Sequence, residues 1–192
     1  MKKYFLIGAF VLLGIIGLFL LFSPFKYDKK TDNYVLSHEV FIHRSVQQVF
    51  DYLGNSKNAS NWSVYVDHIT TLNTNEHQDG TVGSKRRCFK NKNEKGIYWD
   101  ETILNVIPQK ERSLSIYNLN GFSVVTSHLV TYQHYERIDK NNTRLKFSLQ
   151  RSQEDMTLLE KIKIKLAGYV VSSIFEKNLA GIKQQLEQQD GN

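Results

Sequence analysis

Cysteine is all but missing from this chain, with Cys88 alone among 192 residues, and that excludes an intramolecular disulfide and any multi-cysteine metal site. Recognisable catalytic signatures are missing too. The sequence contains no H-E-x-x-H pair, no G-x-S-x-G elbow and no phosphate-binding G-x-x-x-x-G-K-[ST] loop, so zinc-protease, serine-hydrolase and NTPase chemistry have no local support. Histidines do not fill the gap. His38 and His43 are five apart, on opposite faces of a strand, while His128 and His134 share a face but stand about 20 Å apart. No metal or cofactor is expected. Excess charge is also scarce where it would matter: of a formal net charge of +6, five lysines against one aspartate in the first 30 residues account for +4, leaving 20 basic and 18 acidic residues beyond. A domain so balanced lacks the footprint that phosphate backbones require, and nucleic acid is not an expected partner.

A long apolar run is present. Tyr4 to Phe22 is uncharged over 19 residues, and at about 1.5 Å per residue it matches the roughly 30 Å hydrocarbon core of a bilayer. A cleaved signal peptide is the competing reading, but Leu20-Leu21-Phe22-Ser23-Pro24-Phe25 offers no small-x-small site and no lipobox cysteine. The expected organisation is a transmembrane anchor over 1–24, a linker over 25–33 and one domain over 34–192. Lys2 and Lys3 face Lys26, Lys29 and Lys30 across the run, so the positive-inside count is nearly a tie. The very short N-terminal tail favours a cytoplasmic start and an extracytoplasmic domain.

Beyond the linker, β-patterned runs dominate. Val35 to Arg44 predicts a strand, and Ser45-Val46-Gln47-Gln48 a capping box that opens a helix with Val46, Val49, Phe50 and Leu53 on one face. A second short helix is expected from Ser56 to Asn61. Strands are then predicted over 64–72, 84–91, 97–107, 112–119, 124–138 and 143–150, separated by turn signals such as Asn93-Glu94-Lys95-Gly96 and Asn120-Gly121. Short turns imply antiparallel neighbours. A last apolar-periodic run places Tyr169, Phe175, Leu179, Ile182 and Leu186 on one helical face, the cover such a sheet needs. A continuous helix from Met156 would overhang a domain of this size, and Gly168 costs about 1 kcal/mol inside a helix. A break near Gly168 is therefore expected.

This order resembles the START-like, or SRPBCC, superfamily in a membrane-anchored bacterial form. The segment Val40-Phe41-Ile42-His43-Arg44-Ser45-Val46-Gln47-Gln48-Val49-Phe50-Asp51-Tyr52-Leu53 is similar to that family's opening strand and helix, with Trp62 where a helix-ending Trp is expected. Asp100-Glu101-Thr102-Ile103 with Pro108 resembles its "E-x-I … P" strand, and Leu179-Ala180-Gly181-Ile182-Lys183 its closing "L-x-x-[LI]-K". Ser45-Val46 in place of a small residue and Pro marks a divergent sequence. The resemblance implies an α+β helix-grip fold: a curved antiparallel sheet of six to seven strands around a long C-terminal helix, with two short helices after the first strand. It also implies an apolar ligand cavity beneath that helix.

Candidate cavity residues are Trp62, Trp99, Glu101, Tyr117, His128, Tyr132, Tyr169, Ser172 and Phe175. Ile97, Trp99, Glu101 and Ile103 share one strand face by parity, and Thr126, His128, Val130, Tyr132 and His134 share another. An inward Glu101 must be paired, hydrated or neutral, and a strand arginine such as Arg87 would pair it. Lys85, Arg86 and Arg87 are candidates for contact with anionic head groups, against the plainer reading of a solvated strand edge. The expected role is non-catalytic binding of a hydrophobic small molecule or lipid. A polyketide cyclase or dehydratase using the same cavity is the alternative, and an interaction or stress-associated protein with a vestigial cavity is a third.

Overall fold

A computed structural model describes residues 2–124, 128–152 and 156–188. Helix α1 (Lys2–Phe22) leads into a short strand β1 (Lys26–Asp28), β2 (Asn33–Ile42), α2 (Val46–Gly54), a 3₁₀ turn (Ser56–Asn58) and α3 (Ala59–Trp62). There follow β3 (His68–Thr71), β4 (Lys85–Phe89), β5 (Tyr98–Ile107), β6 (Glu111–Asn120), β7 (Leu129–Arg137), β8 (Thr143–Ser152) and α4 (Leu158–Gln188). The strands form one antiparallel sheet in the order β1-β2-β8-β7-β6-β5-β4-β3. Closing β8 beside β2 puts the first and last long strands together, as an antiparallel meander does when it curls around a helix.

The α2 start is read correctly from sequence. The Ser45 hydroxyl accepts from the Gln48 amide at 3.4 Å while the Gln48 side chain accepts from the Ser45 amide at 3.0 Å, and Val46, Val49, Phe50 and Leu53 are buried. They join Ile42, Leu145 and Phe147 of the sheet and Leu179, Ile182 and Leu186 of α4 in one core cluster. A second cluster gathers Phe25, Tyr34, Leu36, Leu129, Leu149, Met156 and Ile164 around the first half of α4.

Two expectations need correction. The C-terminal helix does not break: α4 runs unbroken through Gly168 for 31 residues. A Cβ at Gly168 would lie 3.0 Å from the Phe25 Cβ and 3.2 Å from the Ser23 hydroxyl, so this glycine admits a neighbouring segment rather than ending a helix. The start of α4 carries a capping box of its own, with Thr157 Oγ1 accepting from the Glu160 amide and Glu160 accepting from the Thr157 amide. The strand count is eight rather than six or seven, because part of the expected linker pairs with β2, Lys26 opposite Val35 and Asp28 opposite Asn33. Phe25 is no linker residue either. It is 1% exposed, stacked on Tyr34 with ring centroids 6.3 Å apart.

The structure adds no support for the expected anchor: among the described residues no helix is long and apolar enough to cross a membrane.

Gly181 is a second close approach on α4, since a Cβ there would sit 2.6 Å from the backbone oxygen of Trp62. Gly181→Ala gains about 1 kcal/mol of helix propensity but must push α3 away. The expected net effect is destabilisation by about 1–2 kcal/mol, read as a thermal-melt decrease of about 3–6 °C. An unchanged or higher midpoint would refute the close approach.

Candidate functional site

Helix α4 packs closely on β2 and β8, at one side of the curved sheet, so the space above β4 to β7 is left for side chains to fill. They do not fill it. A cavity of about 420 Å³ remains, within the range of small-molecule pockets. Its walls are mainly apolar: Trp62 from α3, Ile97 and Trp99 ahead of and on β5, Leu114 and Ile116 on β6, Phe147 and Leu149 on β8, and Ile164, Val171, Ile174 and Phe175 on α4.

One wall is polar. Arg86 on β4 stands opposite Glu101 on β5, and its Nε donates to Glu101 Oε2 at 2.7 Å. The indole N–H of Trp99 donates to the other oxygen at 2.8 Å. Cys88 and Gln133 line the same wall. Arg86 is only 9% exposed, and although burial works against its charge, the Glu101 carboxylate together with Cys88 and Asp79 offsets this and raises its pKa. Burial, then the Glu101 charge, pushes the Cys88 thiol well above its ordinary value. Cys88 therefore stays protonated at neutral pH, so a thiolate nucleophile is not at hand.

Of the residues expected in the cavity, Trp62, Trp99, Glu101 and Phe175 line it, and Tyr117, His128, Tyr132, Tyr169 and Ser172 do not. On β7 the inward face is Leu129, Thr131 and Gln133, the opposite parity to the one expected, and Tyr132 stacks outside on His134. His128 is exposed with a positive φ of 58° just ahead of the strand. On β6, Asn118 has φ 51° at a register shift against β5, and this bulge turns Leu119 inward. Tyr117 faces outward and accepts from Thr102 Oγ1 at 3.2 Å. Ser172 hydrogen-bonds His38 Nε2 at 2.8 Å, and the Tyr169 hydroxyl donates to the Phe19 carbonyl at 2.9 Å. Val124 also lines the cavity, whereas Thr126 lies outside the described residues.

The basic run is sorted by strand parity. Arg86 is inside; Arg87 is on the other face, bonded to both oxygens of Asp100 at 2.7 and 3.0 Å, with its guanidinium over the Tyr98 ring. Of the three only Lys85 is exposed, with Arg87 half-buried and Arg86 buried. Glu101 is paired as expected of an inward carboxylate, but with Arg86 instead of Arg87, because Arg86 is the residue in cross-strand register with it.

For Asp100 burial opposes ionisation, but hydrogen bonds from Arg87 and Asn118 prevail and hold its carboxyl below the usual range. A folded-state pKa below the unfolded value gives stability that is complete above about pH 4 and is lost as pH falls through the folded value. Acid melts are therefore expected to lose stability below about pH 4. In Asp100→Asn the midpoint at neutral pH is lower and the acid decline shallower; an unchanged decline would assign it to other carboxylates.

The site is a mostly apolar chamber roofed by a helix and ended by a buried ion pair, which defines a cavity-bearing helix-grip domain. Solved structures agree. The chain is similar to the protein XoxI from Bacillus cereus (12% identity, 81% of this chain and 97% of that one, TM-score 0.59). It is also similar to the Zhui aromatase/cyclase from Streptomyces sp. R1128 (14% identity, 82% and 95%, TM-score 0.60). A third likeness is to norcoclaurine synthase from Thalictrum flavum in complex with dopamine and hydroxybenzaldehyde (11% identity, 85% and 94%, TM-score 0.56). No family model matches the chain, and no curated protein matches it by sequence. At these identities the likeness is one of fold alone: the chain has the helix-grip fold, the fold that its resemblance to the START-like, or SRPBCC, superfamily implies.

Proposed function

We propose that this protein binds a hydrophobic small molecule or lipid in the cavity between the sheet and α4, without catalysis. The domain is held at a membrane by α1 and lies on the extracytoplasmic side. The cavity carries the reading: apolar walls supply affinity at about 25 cal/mol per Å² buried, and the Arg86, Glu101 and Trp99 cluster gives a polar end that fixes orientation.

A cyclase-like reaction is the second reading, favoured by the likeness in fold to an aromatase/cyclase. Against it, both Glu101 oxygens are already engaged. Each oxygen keeps a second lone pair, but Glu101 is the one carboxylate among the described residues that line the cavity, so no partner acid stands with it.

Native mass spectrometry of the full chain extracted in mild detergent tests the first reading. A bound amphiphile of defined mass is the expected result, and an empty protein after extraction with and without added lipid would overturn it. Turnover that is abolished by Glu101→Gln while binding persists would favour the enzyme.

A further inference from the structure

The first half of α4 carries an apolar stripe that is exposed except at the half-buried Ile162. Leu158, Ile162, Leu166 and Val170 recur every four residues, which stacks them along one helix face. Leu158 is 75% and Val170 62% exposed, and Leu159 beside them is exposed too. Lys161, Lys163 and Lys165 are interleaved with the stripe. Apolar residues bordered by lysines form the pattern of a helix lying in a bilayer interface.

The neighbour of this face is the end of α1. The end of α1 is clamped to α4 at the stripe: Lys165 Nζ donates to the Leu20 carbonyl at 3.3 Å, and the Tyr169 hydroxyl donates to that of Phe19. The Ser23 hydroxyl donates to the Lys165 carbonyl at 2.6 Å. With Phe25 buried, only two residues separate α1 from the core, too few to lift the domain away from it. Tyrosine is enriched at the membrane–water interface, and lysine anchors there by snorkelling. The cavity also reaches the surface here, since Val170, Gly121 and Ser123 both line it and are exposed.

We infer that the Leu158–Val170 face of α4 docks on an anionic phospholipid surface beside α1, turning the cavity mouth toward the bilayer. This rests on the proposed anchoring by α1 and on the binding role of the cavity. A ligand then enters from the membrane without crossing water, and α1 acts as a rigid mount instead of a flexible tether.

The test uses full-length protein in nanodiscs of phosphatidylcholine with phosphatidylglycerol, with doxyl-labelled phospholipid as quencher. An environment-sensitive fluorophore is attached at Leu158→Cys, Leu166→Cys or Asn141→Cys; Cys88 is buried, and the wild-type chain gives the labelling blank. Asn141 is the distant control: His43 bonds both Asn142 and Glu187, placing that turn near the end of α4, about 30 Å along the helix from Leu166. Quenching about twofold or more stronger at positions 158 and 166 than at 141 is expected for a face in the interface. Equal quenching at all three would overturn the proposal, as would a blue shift at 158 and 166 without quenching, which would assign the face to a second copy. Co-elution with the nanodiscs reads α1 by itself, and the mass of a bound amphiphile reads the cavity by itself, so failure of either is distinguishable from failure of the docking face.

Discussion

Arg86→Ala is expected to destabilise the domain by about 3–5 kcal/mol, the usual result of leaving one member of a buried ion pair without its partner. For a domain of this size that lowers the thermal midpoint by roughly 10 °C or more. The stranded group is Glu101, 13% exposed at its side chain and then held only by the neutral Trp99 indole and Cys88 thiol. Arg86→Met combined with Glu101→Leu is expected to restore most of the loss, because apolar residues of similar volume often replace a buried pair at little cost. Trp99 would still lack its acceptor, at about 1 kcal/mol. The double variant then separates two roles. If the pair also orients a ligand, the refolded protein retains an apolar cavity but loses preference for molecules with a polar end. Recovery of neither stability nor folding would show that the pair is needed for the fold itself.

Phe25→Ala carries the second large effect, about 3–5 kcal/mol. The ring stacks on Tyr34, the Phe25 Cβ and backbone amide lie against Gly168, and the residue lines the cavity near α4. Removing it enlarges the cavity and leaves the mount between α1 and the domain loose. A melt lowered by less than about 3 °C, on the order of 1 kcal/mol, would return Phe25 to the linker that composition suggested. The same reasoning warns against preparing the domain from residue 34, since such a chain lacks Phe25 and the β1 strand.

Much of the fold was legible in the sequence because local chemistry and tertiary structure agree there. Ser45 and Gln48 announce α2, turn residues punctuate the meander, and strict alternation places Trp99 and Glu101 together. The misreadings fall where local patterns are ambiguous. On β7 both faces mix polar and apolar residues, and Thr131 and Gln133 face inward because the cavity tolerates polarity that a packed core would not. One αL residue, Asn118, shifts the parity of β6 by a bulge that no composition rule foresees. Gly168 looked like a break because its partner, Phe25, is 143 residues away in sequence. Arg86 was hidden within a basic run; only the β4–β5 register, with Arg86 opposite Glu101, shows that it faces inward.

The central claim is that the cavity holds a hydrophobic ligand, and the chain contains its own reporter. Trp62 and Trp99 are the only two tryptophans, and both line the cavity. Titrating the nanodisc-held protein with a brominated fatty acid should quench most of the tryptophan emission, saturating at one equivalent. Thr131→Phe, which projects a ring into the chamber, should abolish the saturable part while the fold persists. Weak quenching that rises linearly with the fatty acid, alike in wild type and Thr131→Phe, would contradict the account.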